Sequence, residues 1–450
     1  MKKVVRALYN ILFGVFFVLS SPYYFIRMRR RGNWQKGFRQ RFAKYDAKFK
    51  QAITNRHTLW MHAVSVGEVN VCTHLIRVLE PRFPNLKIVV STTTSTGMER
   101  LQAALPAHIS KIYYPIDLRR FVVRALSAIH PQAIVLIEAE IWPNFLLRAR
   151  ELRTPLFLVN ARLSERSYRG YKRFRFFFRP FFSSFAAVGA QNETDTARWR
   201  ELGCRPEAVQ NLGSLKFDAA ADSRPANERR HLDVPAMFSQ LGVLANARII
   251  VAGSTHAGEE ALLAEQFLRL RSRFPDLFLV IVPRHFERSR EISRELSARG
   301  LKHVLRTEIT SQTRFAPGQL HCVLVNTTGE LKFFYEQATI VFVGKSLTAK
   351  GGQNPIEPCA LGKPTVFGPN MQNFSDVVRA FLAQEGAVQV RNAAELETTF
   401  ASLLEDESRR DRLARQGHKV VQDNLGATER TVEMLVQHLS GGEIYVAPKS

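Results

Sequence analysis

The sequence is short of cysteine and of acidic residues, and each shortage narrows the class of protein. Of its 450 residues four are cysteines (Cys72, Cys204, Cys322, Cys359), and no two have the spacing of a zinc site or a redox pair. Acidic residues number 40 against 64 lysines and arginines, a formal net charge of +24. We therefore expect buried cysteines in a reducing compartment and anionic partners such as lipid, nucleic acid or phosphorylated substrates.

Several catalytic motifs are also absent. The chain contains no H-E-x-x-H motif, no Walker A loop and no G-x-S-x-G turn, which disfavours zinc peptidases, P-loop nucleotidases and serine hydrolases. It contains no Asp-x-Asp pair of the kind that holds a divalent metal for a nucleotide sugar. Chemistry without a bound metal is therefore favoured.

The amino terminus combines a long uncharged stretch with basic flanks. Residues 7–26 carry no charge, and a helix of this length is about as long as the bilayer core is thick. A signal peptide is disfavoured because Ser20-Ser21-Pro22 is a poor cleavage site and a cluster of arginines follows it. We predict a retained membrane anchor over residues 1–31, which either spans the bilayer or lies in its interface.

A second unusual stretch, residues 166–185, alternates aromatic with basic side chains. One interpretation is a core helix with a basic solvent face. The other is an interfacial surface, with rings at headgroup depth and cations on lipid phosphates. Base stacking would use the same residue types, but no nucleic-acid-binding motif accompanies them, so we expect no specific nucleic-acid partner.

Short apolar, β-branched runs alternate with helical patterns along most of the chain, which predicts parallel α/β sheets. The predicted strands are 58–63, 87–91, 133–138, 155–160, 186–190, 249–252, 278–282, 322–325, 340–343 and 365–367. The alternation lapses around 219–244 and then resumes. We predict an amino-terminal Rossmann-like domain at 32–220, a linker at 221–245 and a second Rossmann-like domain with carboxyl-terminal helices at 246–450.

Ligands of open α/β sheets bind beyond the carboxyl ends of the strands, so residues that directly follow strands are the site candidates. In the first half Glu68 follows a strand and begins a helix, where the helix dipole favours an ionised carboxylate. It is a candidate general base, and a plain helix-terminal charge is the alternative. Glu138 and Glu140 end another strand, as substrate ligands or as a structural salt bridge. Lys216 lies near the hinge between the halves.

The second half offers possible phosphate ligands at its strand ends. Arg284 follows the strand at 278–282, and its planar guanidinium suits a phosphate. Residues 328–330 begin a helix, and 351–357 is glycine-rich and then helical, so backbone N–H groups of this second segment would donate hydrogen bonds to a phosphate and leave Glu357 to hold ribose hydroxyls. Each signal is weak alone, and the prediction of a binding site rests on their shared placement directly after strands.

Many short segments, in order from residue 31 to about 374, resemble the 3-deoxy-D-manno-octulosonic acid (Kdo) transferase family of lipopolysaccharide core synthesis. They are RRRGNW, WMHAVSVGE, TTTSTG, YYPIDL, EAEIWPN, NARLSERS, AQNETD, GSLKFD, AGSTHAGEE, VPRH, TTGEL and GGQNPIEP. The resemblance implies a GT-B fold of two Rossmann-like domains with a cleft between them. It implies transfer of Kdo from CMP-Kdo to a lipid A precursor at the cytoplasmic face of the bacterial inner membrane, with no metal and no cofactor.

The resemblance also implies roles for individual residues. Glu68 corresponds to the general base, and Glu138 and Lys216 correspond to positions that stabilise the transition state. The segments that correspond to the CMP-binding positions comprise Pro283, Arg284, Thr328, Gly329, Glu330, Asn354, Pro355, Ile356 and Glu357.

The donor half departs from the family pattern at four positions. Asn326 and Thr328 stand where the pattern Asp-Thr-Met-Gly-Glu has Asp and Met, Lys345 replaces the second glycine of Gly-Gly-Ser-Leu, and Gln353 replaces the histidine of Gly-Gly-His-Asn. These departures keep two alternatives open: a GT-B enzyme with another donor, such as a UDP-sugar, and a non-catalytic membrane-anchored nucleotide-binding protein.

Overall fold

A computed structural model of the protein describes residues 2–30, 37–221 and 232–440. The chain forms two compact units, which are described separately below. The first comprises Met1–Ala219 and Leu425–Ser450, and the second comprises Ala220–Asn424.

The first unit contains a seven-stranded sheet in the order β3-β2-β1-β4-β5-β6-β7, in which every paired strand is parallel. Its strands are β1 (His57–His62), β2 (Leu86–Thr92), β3 (Ser110–Tyr113), β4 (Pro131–Ile137), β5 (Leu156–Ala161), β6 (Phe185–Ala190) and β7 (Val209–Asn211). The strand order reverses between β1 and β4, which is the switch point at which doubly wound sheets bind ligands.

Helices cover both faces of this sheet. They are α1 (Lys2–Arg30), α2 (Ala47–Ile53), α3 (Val66–Leu79), α4 (Ser95–Ala104), α5 (Arg119–Ile129), α6 (Pro143–Glu151), α7 (Glu165–Arg173), α8 (Arg175–Phe182), α9 (Glu193–Leu202) and α10 (Leu215–Ala221). Side chains such as Ser65, Thr94 and Asn192 cap free N–H groups where helices follow strands.

Successive strand residues bury their side chains on opposite faces. Trp60 packs in the cluster that contains Phe145, while its neighbours Leu59 and Met61 pack in the cluster on the other face. All of these side chains are at most 1% exposed. Burial on both faces explains why the strands are continuous apolar runs instead of alternating patterns.

The second unit repeats the design with a parallel sheet in the order β10-β11-β9-β8-β12-β13-β14, and its switch point lies between β8 and β12. Its strands are β8 (Ile249–Thr255), β9 (Phe278–Pro283), β10 (His303–Leu305), β11 (Cys322–Leu324), β12 (Ile340–Val343), β13 (Thr365–Phe367) and β14 (Val388–Gln389). Its helices are α11 (Val234–Gln240), α12 (Glu259–Arg271), α13 (Ser289–Ala298), α14 (Leu331–Glu336), α15 (Ile356–Ala360), α16 (Ser375–Ala383), α17 (Ala393–Glu405) and α18 (Glu407–Asp423).

The α/β architecture and all the predicted strands are confirmed, but four strands were missed. These are β3, β7, β10 and β14, which have two to four residues each and form the edges of the two sheets. Strands this short carry too few apolar residues for a periodic signal. All four cysteines are buried, as expected.

The two units differ from the predicted domains at two boundaries. Part of the linker, residues 222–231, lies outside the described residues, but the remainder contains α11, whose Phe238 packs against Phe278 and Phe334 of the second unit. The last helix, α19 (Ala427–Leu439), belongs to the first unit instead of the second. The Asp218 carboxylate accepts the N–H groups of Gly426 and Thr428 and so fixes the start of this helix.

The amino-terminal stretch forms a helix, α1, whose first third docks on the first unit. The Arg6 guanidinium pairs with Glu151 at 2.6 Å, and Asn10 accepts a hydrogen bond from the Asn144 amide. Among residues 2–30, 37–221 and 232–440, no helix combines the length and the apolar character that crossing a bilayer requires.

Candidate active site

Two carboxylates follow the two strands that flank the switch point of the first sheet. Glu68 is the third residue of α3, the helix that follows β1, and Glu138 directly follows β4. The sequence prediction that both lie at the carboxyl edge is confirmed, and the pairing of β1 with β4 makes them neighbours. Their charges interact, since ionised Glu138 raises the pKa of Glu68.

Glu68 is held in a fixed position by its own helix terminus. Its carboxylate accepts the N–H groups of Val64 and Ser65, and the Ser65 hydroxyl accepts the Glu68 N–H in return. This capping box satisfies free donors of α3. The side chain is 8% exposed, and burial first, then the Glu138 charge, raises its pKa. A raised pKa makes an ionised carboxylate a stronger base near neutral pH.

Glu138 forms an ion pair with Lys216, at 2.9 Å between carboxylate oxygen and Nζ. Its backbone has a φ of +64°, a left-handed conformation that is costly for a residue with a side chain. Lys216 comes from α10, whose start is fixed because the Asn160 amide oxygen accepts the Leu215 N–H. Three separate segments therefore bring this pair to the edge of the sheet.

Glu140 is a third acid in the same group. Its carboxylate accepts the indole N–H of Trp142 at 2.9 Å, and burial together with the Glu68 charge raises its pKa to about 7. The sequence placed Glu138 and Glu140 side by side without deciding which has a cationic partner. In the structure Lys216 pairs with Glu138, and the Trp142 indole donates its hydrogen bond to Glu140.

Asp117 was not predicted as important, although it lies in the YYPIDL segment. It is 1% exposed and accepts hydrogen bonds from the Tyr9 hydroxyl and from the N–H groups of Asn144 and Phe145. Burial raises its pKa to about 7. Asp117 therefore joins α1 to the first turn of α6, which directly follows the loop that carries Glu138 and Glu140.

The predicted donor residues follow strands of the second sheet. Pro283 ends β9, and the exposed Arg284 follows it, with its N–H donated to the Thr255 carbonyl at the end of neighbouring β8. The Arg284 guanidinium is in no ion pair within the part of the chain that the structure describes. It is available to an anionic ligand.

The turn at Thr328–Glu330 lies between β11 and α14. Thr328 and Gly329 are exposed, and Gly329 has a φ of +85° that suits glycine. Glu330 pairs with Arg306 at 3.1 Å and accepts the Thr327 hydroxyl, so its carboxylate holds the turn together. The exposed backbone of the turn, more than Glu330 itself, is the part able to contact a ligand.

The Asn354–Glu357 segment is tied together by the Asn354 side chain. Its amide oxygen accepts the Ile356 N–H, and its amide nitrogen donates to the Glu357 carboxylate at 3.0 Å. Pro355 and Ile356 are buried and fix the start of α15. Asn354 and Glu357 are half-buried, so they are the members of this segment placed to contact a ligand.

One of the four departures has a structural explanation. The Asn326 side chain both accepts the Thr307 N–H and donates to the Thr307 hydroxyl, which an aspartate would not do. Thr328 exposes its side chain, and nothing in the structure explains Gln353.

The predicted catalytic residues Glu68, Glu138 and Lys216 thus lie together in the first unit, and the predicted donor residues all lie at the carboxyl edge of the second. Within residues 2–30, 37–221 and 232–440, no group of three or more histidine, cysteine, aspartate or glutamate side chains is arranged to hold a metal ion.

Residues 166–185, the stretch of aromatic and basic side chains, fit both the core and the surface interpretation in part. Phe181 and Phe182 are buried in the core of the first unit, while Phe174 and Phe176 are 50% and 71% exposed among exposed arginines. The stretch is therefore partly core and partly surface.

Two doubly wound parallel sheets in one chain form the architecture of the GT-B class. Solved structures share this fold. UDP-GlcNAc 2-epimerase from Neisseria meningitidis, bound to UDP-GlcNAc, has a TM-score of 0.57 at 14% identity and covers 84% of this chain and 100% of its own. Anabaena HepE in complex with UDP has a TM-score of 0.53 at 13% identity and covers 86% and 100%.

The family is shown by sequence relatives. The 3-deoxy-D-manno-octulosonic-acid transferase (kdotransferase) model matches residues 36–219, and the glycosyl transferases group 1 model matches residues 261–420. The 3-deoxy-D-manno-octulosonic acid transferase of Haemophilus influenzae is 30% identical over 89% of this chain and 92% of its own length. That of Bordetella pertussis is 31% identical over 90% and 93%. The chain belongs to the 3-deoxy-D-manno-octulosonic acid transferase family and is a glycosyltransferase.

Proposed function

We propose that the protein transfers Kdo from CMP-Kdo to a hydroxyl group of a lipid A precursor, with inversion at the anomeric carbon and without a metal or cofactor. The observation that carries this proposal is the placement of Glu68 beside the Glu138–Lys216 ion pair at the first switch point. A single buried carboxylate suffices as base, because the reaction removes one proton from a sugar alcohol.

In the proposed reaction Glu68 accepts the proton of the acceptor hydroxyl as its oxygen attacks the anomeric carbon of Kdo. The bond from that carbon to the CMP phosphate breaks, and the electron pair leaves with CMP. A single displacement of this kind inverts the anomeric centre. The raised pKa of Glu68 favours the proton transfer, and its capping bonds keep the carboxylate aimed.

Charge develops on both partners in the transition state. The sugar gains positive, oxocarbenium-like character, which the Glu138 carboxylate would stabilise, while Lys216 holds that carboxylate in position. The departing phosphate gains negative charge, and we assign Arg284 and the exposed Thr328 and Gly329 backbone to it.

We further propose that the protein acts at the cytoplasmic face of a bacterial inner membrane, attached in the interface by α1. Apolar side chains of α1 beyond its docked first third, among them Leu12, Phe16 and Leu19, are more than half exposed. Both α1 and α8 pack against α6, which supports a common lipid-facing surface with Phe174 and Phe176.

The test uses detergent-solubilised protein, CMP-Kdo generated in place by a CMP-Kdo synthetase, and a lipid A precursor. Mass spectrometry of the lipid should show a gain of Kdo that is lost in Glu68→Ala and kept in Glu193→Gln, an exposed acid that begins α9 after another strand. A mass gain in Glu68→Ala equal to that of the wild type would remove the assignment of the base.

Donor identity is tested apart from acceptor identity. CMP should raise the melting temperature of the wild type, and UDP should not, because a ligand stabilises the state that binds it. Stabilisation by UDP alone would replace CMP-Kdo with a UDP-sugar donor. Binding of CMP without transfer of Kdo would support the proposed donor and contradict the proposed acceptor.

A further inference from the structure

Lys345 has a backbone conformation that glycine would adopt at lower cost. It follows β12 at the second switch point and has a φ of +55°. Ser254, in the paired strand β8, has the same φ of +55°. L-residues are rarely left-handed, and such strain clusters at functional sites.

The strained turn is held in place by a buried acid. Glu259 is 0% exposed, and its two carboxylate oxygens accept the N–H groups of His256, Lys345, Ser346 and Leu347 at 2.6 to 3.0 Å. The surroundings therefore enforce the conformation of Lys345. The Glu259 oxygens are occupied by backbone N–H groups and form no ion pair with the Lys345 ammonium.

The Lys345 side chain folds back along the glycine-rich loop. A methyl group on Gly351 would stand 3.5 Å from both Cε and Nζ of Lys345, and the Gly352 N–H donates to the Lys345 carbonyl. This loop leads directly into Asn354–Glu357. The half-buried ammonium thus lies beside a segment assigned above to the donor.

Other cationic or protonatable groups surround this position. The rings of His256 and His285 are 5.4 Å apart, and burial, followed by the charges of Lys345 and His285, lowers the pKa of His256. Arg284 is adjacent in sequence to His285. In the described part of the chain no carboxylate lies within ion-pairing distance of the Lys345 ammonium, and the nearby Glu259 carboxylate is occupied by backbone N–H groups.

We propose that Lys345 binds an oxyanion of the donor and is a specificity-determining residue of the donor site. The inference rests on the proposed function and extends it, because a donor such as CMP-Kdo has two oxyanions, the phosphate and the sugar carboxylate. Arg284 alone offers one guanidinium for two anions. Lys345 supplies the second fixed cation at the adjacent end of β12.

The informative variant is Lys345→Gly, which removes the cation and relieves the backbone strain in one step. We expect a KM for CMP-Kdo about 10-fold higher, as for the loss of one charge-assisted hydrogen bond, with a smaller change in kcat. The melting temperature should stay the same or rise, so lost affinity would not reflect misfolding. Lys345→Arg should keep most of the affinity, and Lys350→Ala, an exposed lysine on the same loop, should behave as wild type.

Two further measurements identify which oxyanion Lys345 binds and test whether Lys345 lies close to His256. If Lys345 binds the phosphate, Lys345→Gly weakens CMP binding in calorimetry as well as raising the KM, and if it binds the carboxylate, only the KM rises. The NMR-measured pKa of His256 should rise in Lys345→Gly because one positive neighbour is gone. An unchanged KM and CMP affinity in Lys345→Gly, with wild-type transfer intact, would overturn this inference alone. A wild type that neither binds CMP nor transfers Kdo would instead overturn the proposed function.

Discussion

Both sheets are parallel, seven-stranded and doubly wound, but the side chains at their switch points carry opposite charge. The first sheet places Glu68, Glu138 and Glu140 beyond β1 and β4, and the second places His256 and Lys345 beyond β8 and β12. Both use non-glycine residues with positive φ at these strand ends. The same backbone plan thus supports proton abstraction in one unit and anion binding in the other, and the side chains decide which.

The two edges also differ in how their charges are balanced. In the first, Glu138 pairs with Lys216, and burial together with the charges of neighbouring acids raises the pKa of Glu68 and of Glu140. In the second, Arg284 and Lys345 have no carboxylate partner among the described residues. A base needs a tuned pKa, whereas an anion site needs charge that is left for its ligand.

The largest effect is expected from a substitution at the carboxyl edge of the first sheet, which we call the acidic edge. Glu68→Gln should lower kcat by about 10³–10⁴-fold, because the general base is lost while the capping geometry is largely kept. Affinity for CMP, measured by calorimetry, should be unchanged. A fall in CMP affinity as large as the fall in kcat would contradict the division of labour between the edges.

The next effect tests the Glu138–Lys216 pair. Lys216→Met should lower kcat by about 10²-fold, since a half-buried carboxylate loses its cation and the transition state loses one preorganised charge. The double variant with Glu138→Gln should lose less than the sum of the two single losses, measured as initial rates. Arg82→Met, which removes the structural pair with Glu433, should leave kcat unchanged. Additive losses would show that the pair does not act as a unit.

The corresponding change at the basic edge is smaller and of a different kind. Arg284→Ala should raise the KM for CMP-Kdo by about 10- to 100-fold through the loss of charge-assisted hydrogen bonds. The acid limb of the pH–rate profile, which reports Glu68, should not move. Arg290→Ala, an exposed arginine on α13, is the matched control. A displaced acid limb would mean that the edges are electrostatically coupled.

The smallest effect is on stability. The pKa of Glu140 rises from 4.5 unfolded to about 7 folded, so its stability contribution is complete below pH 4.5 and is lost as pH rises through 7. Glu140→Gln removes this loss and should raise the unfolding free energy at pH 8 by about 1–3 kcal/mol relative to wild type, with little difference at pH 4. Urea denaturation at both pH values measures it, and an equal change at both would rule out the titration.

The sequence predicts the parts of this comparison that depend on local patterns. Buried strands such as β1 and β9 are continuous apolar runs, and Glu68 follows one of them at a recognisable helix start. It does not predict that α19 packs in the first unit, because the contact of Asp218 with Gly426 joins positions 208 residues apart. The sequence shows Lys345 only as a departure from the family pattern. The backbone strain at Lys345 and the absence of an ion-pair partner for its ammonium among the described residues are properties of the folded turn.

The hydrogen bonds of Asp117 bear on how experiments with shortened chains are interpreted. Deleting residues 1–30 removes the Tyr9 hydroxyl from Asp117 and the Asn10 amide from Asn144, and it opens a buried carboxylate to water. The first turn of α6 and the acidic loop before it would then lie in a different electrostatic environment. Lost turnover in such a chain would report on this loop as much as on membrane attachment, and Tyr9→Phe in the full-length chain separates the two contributions.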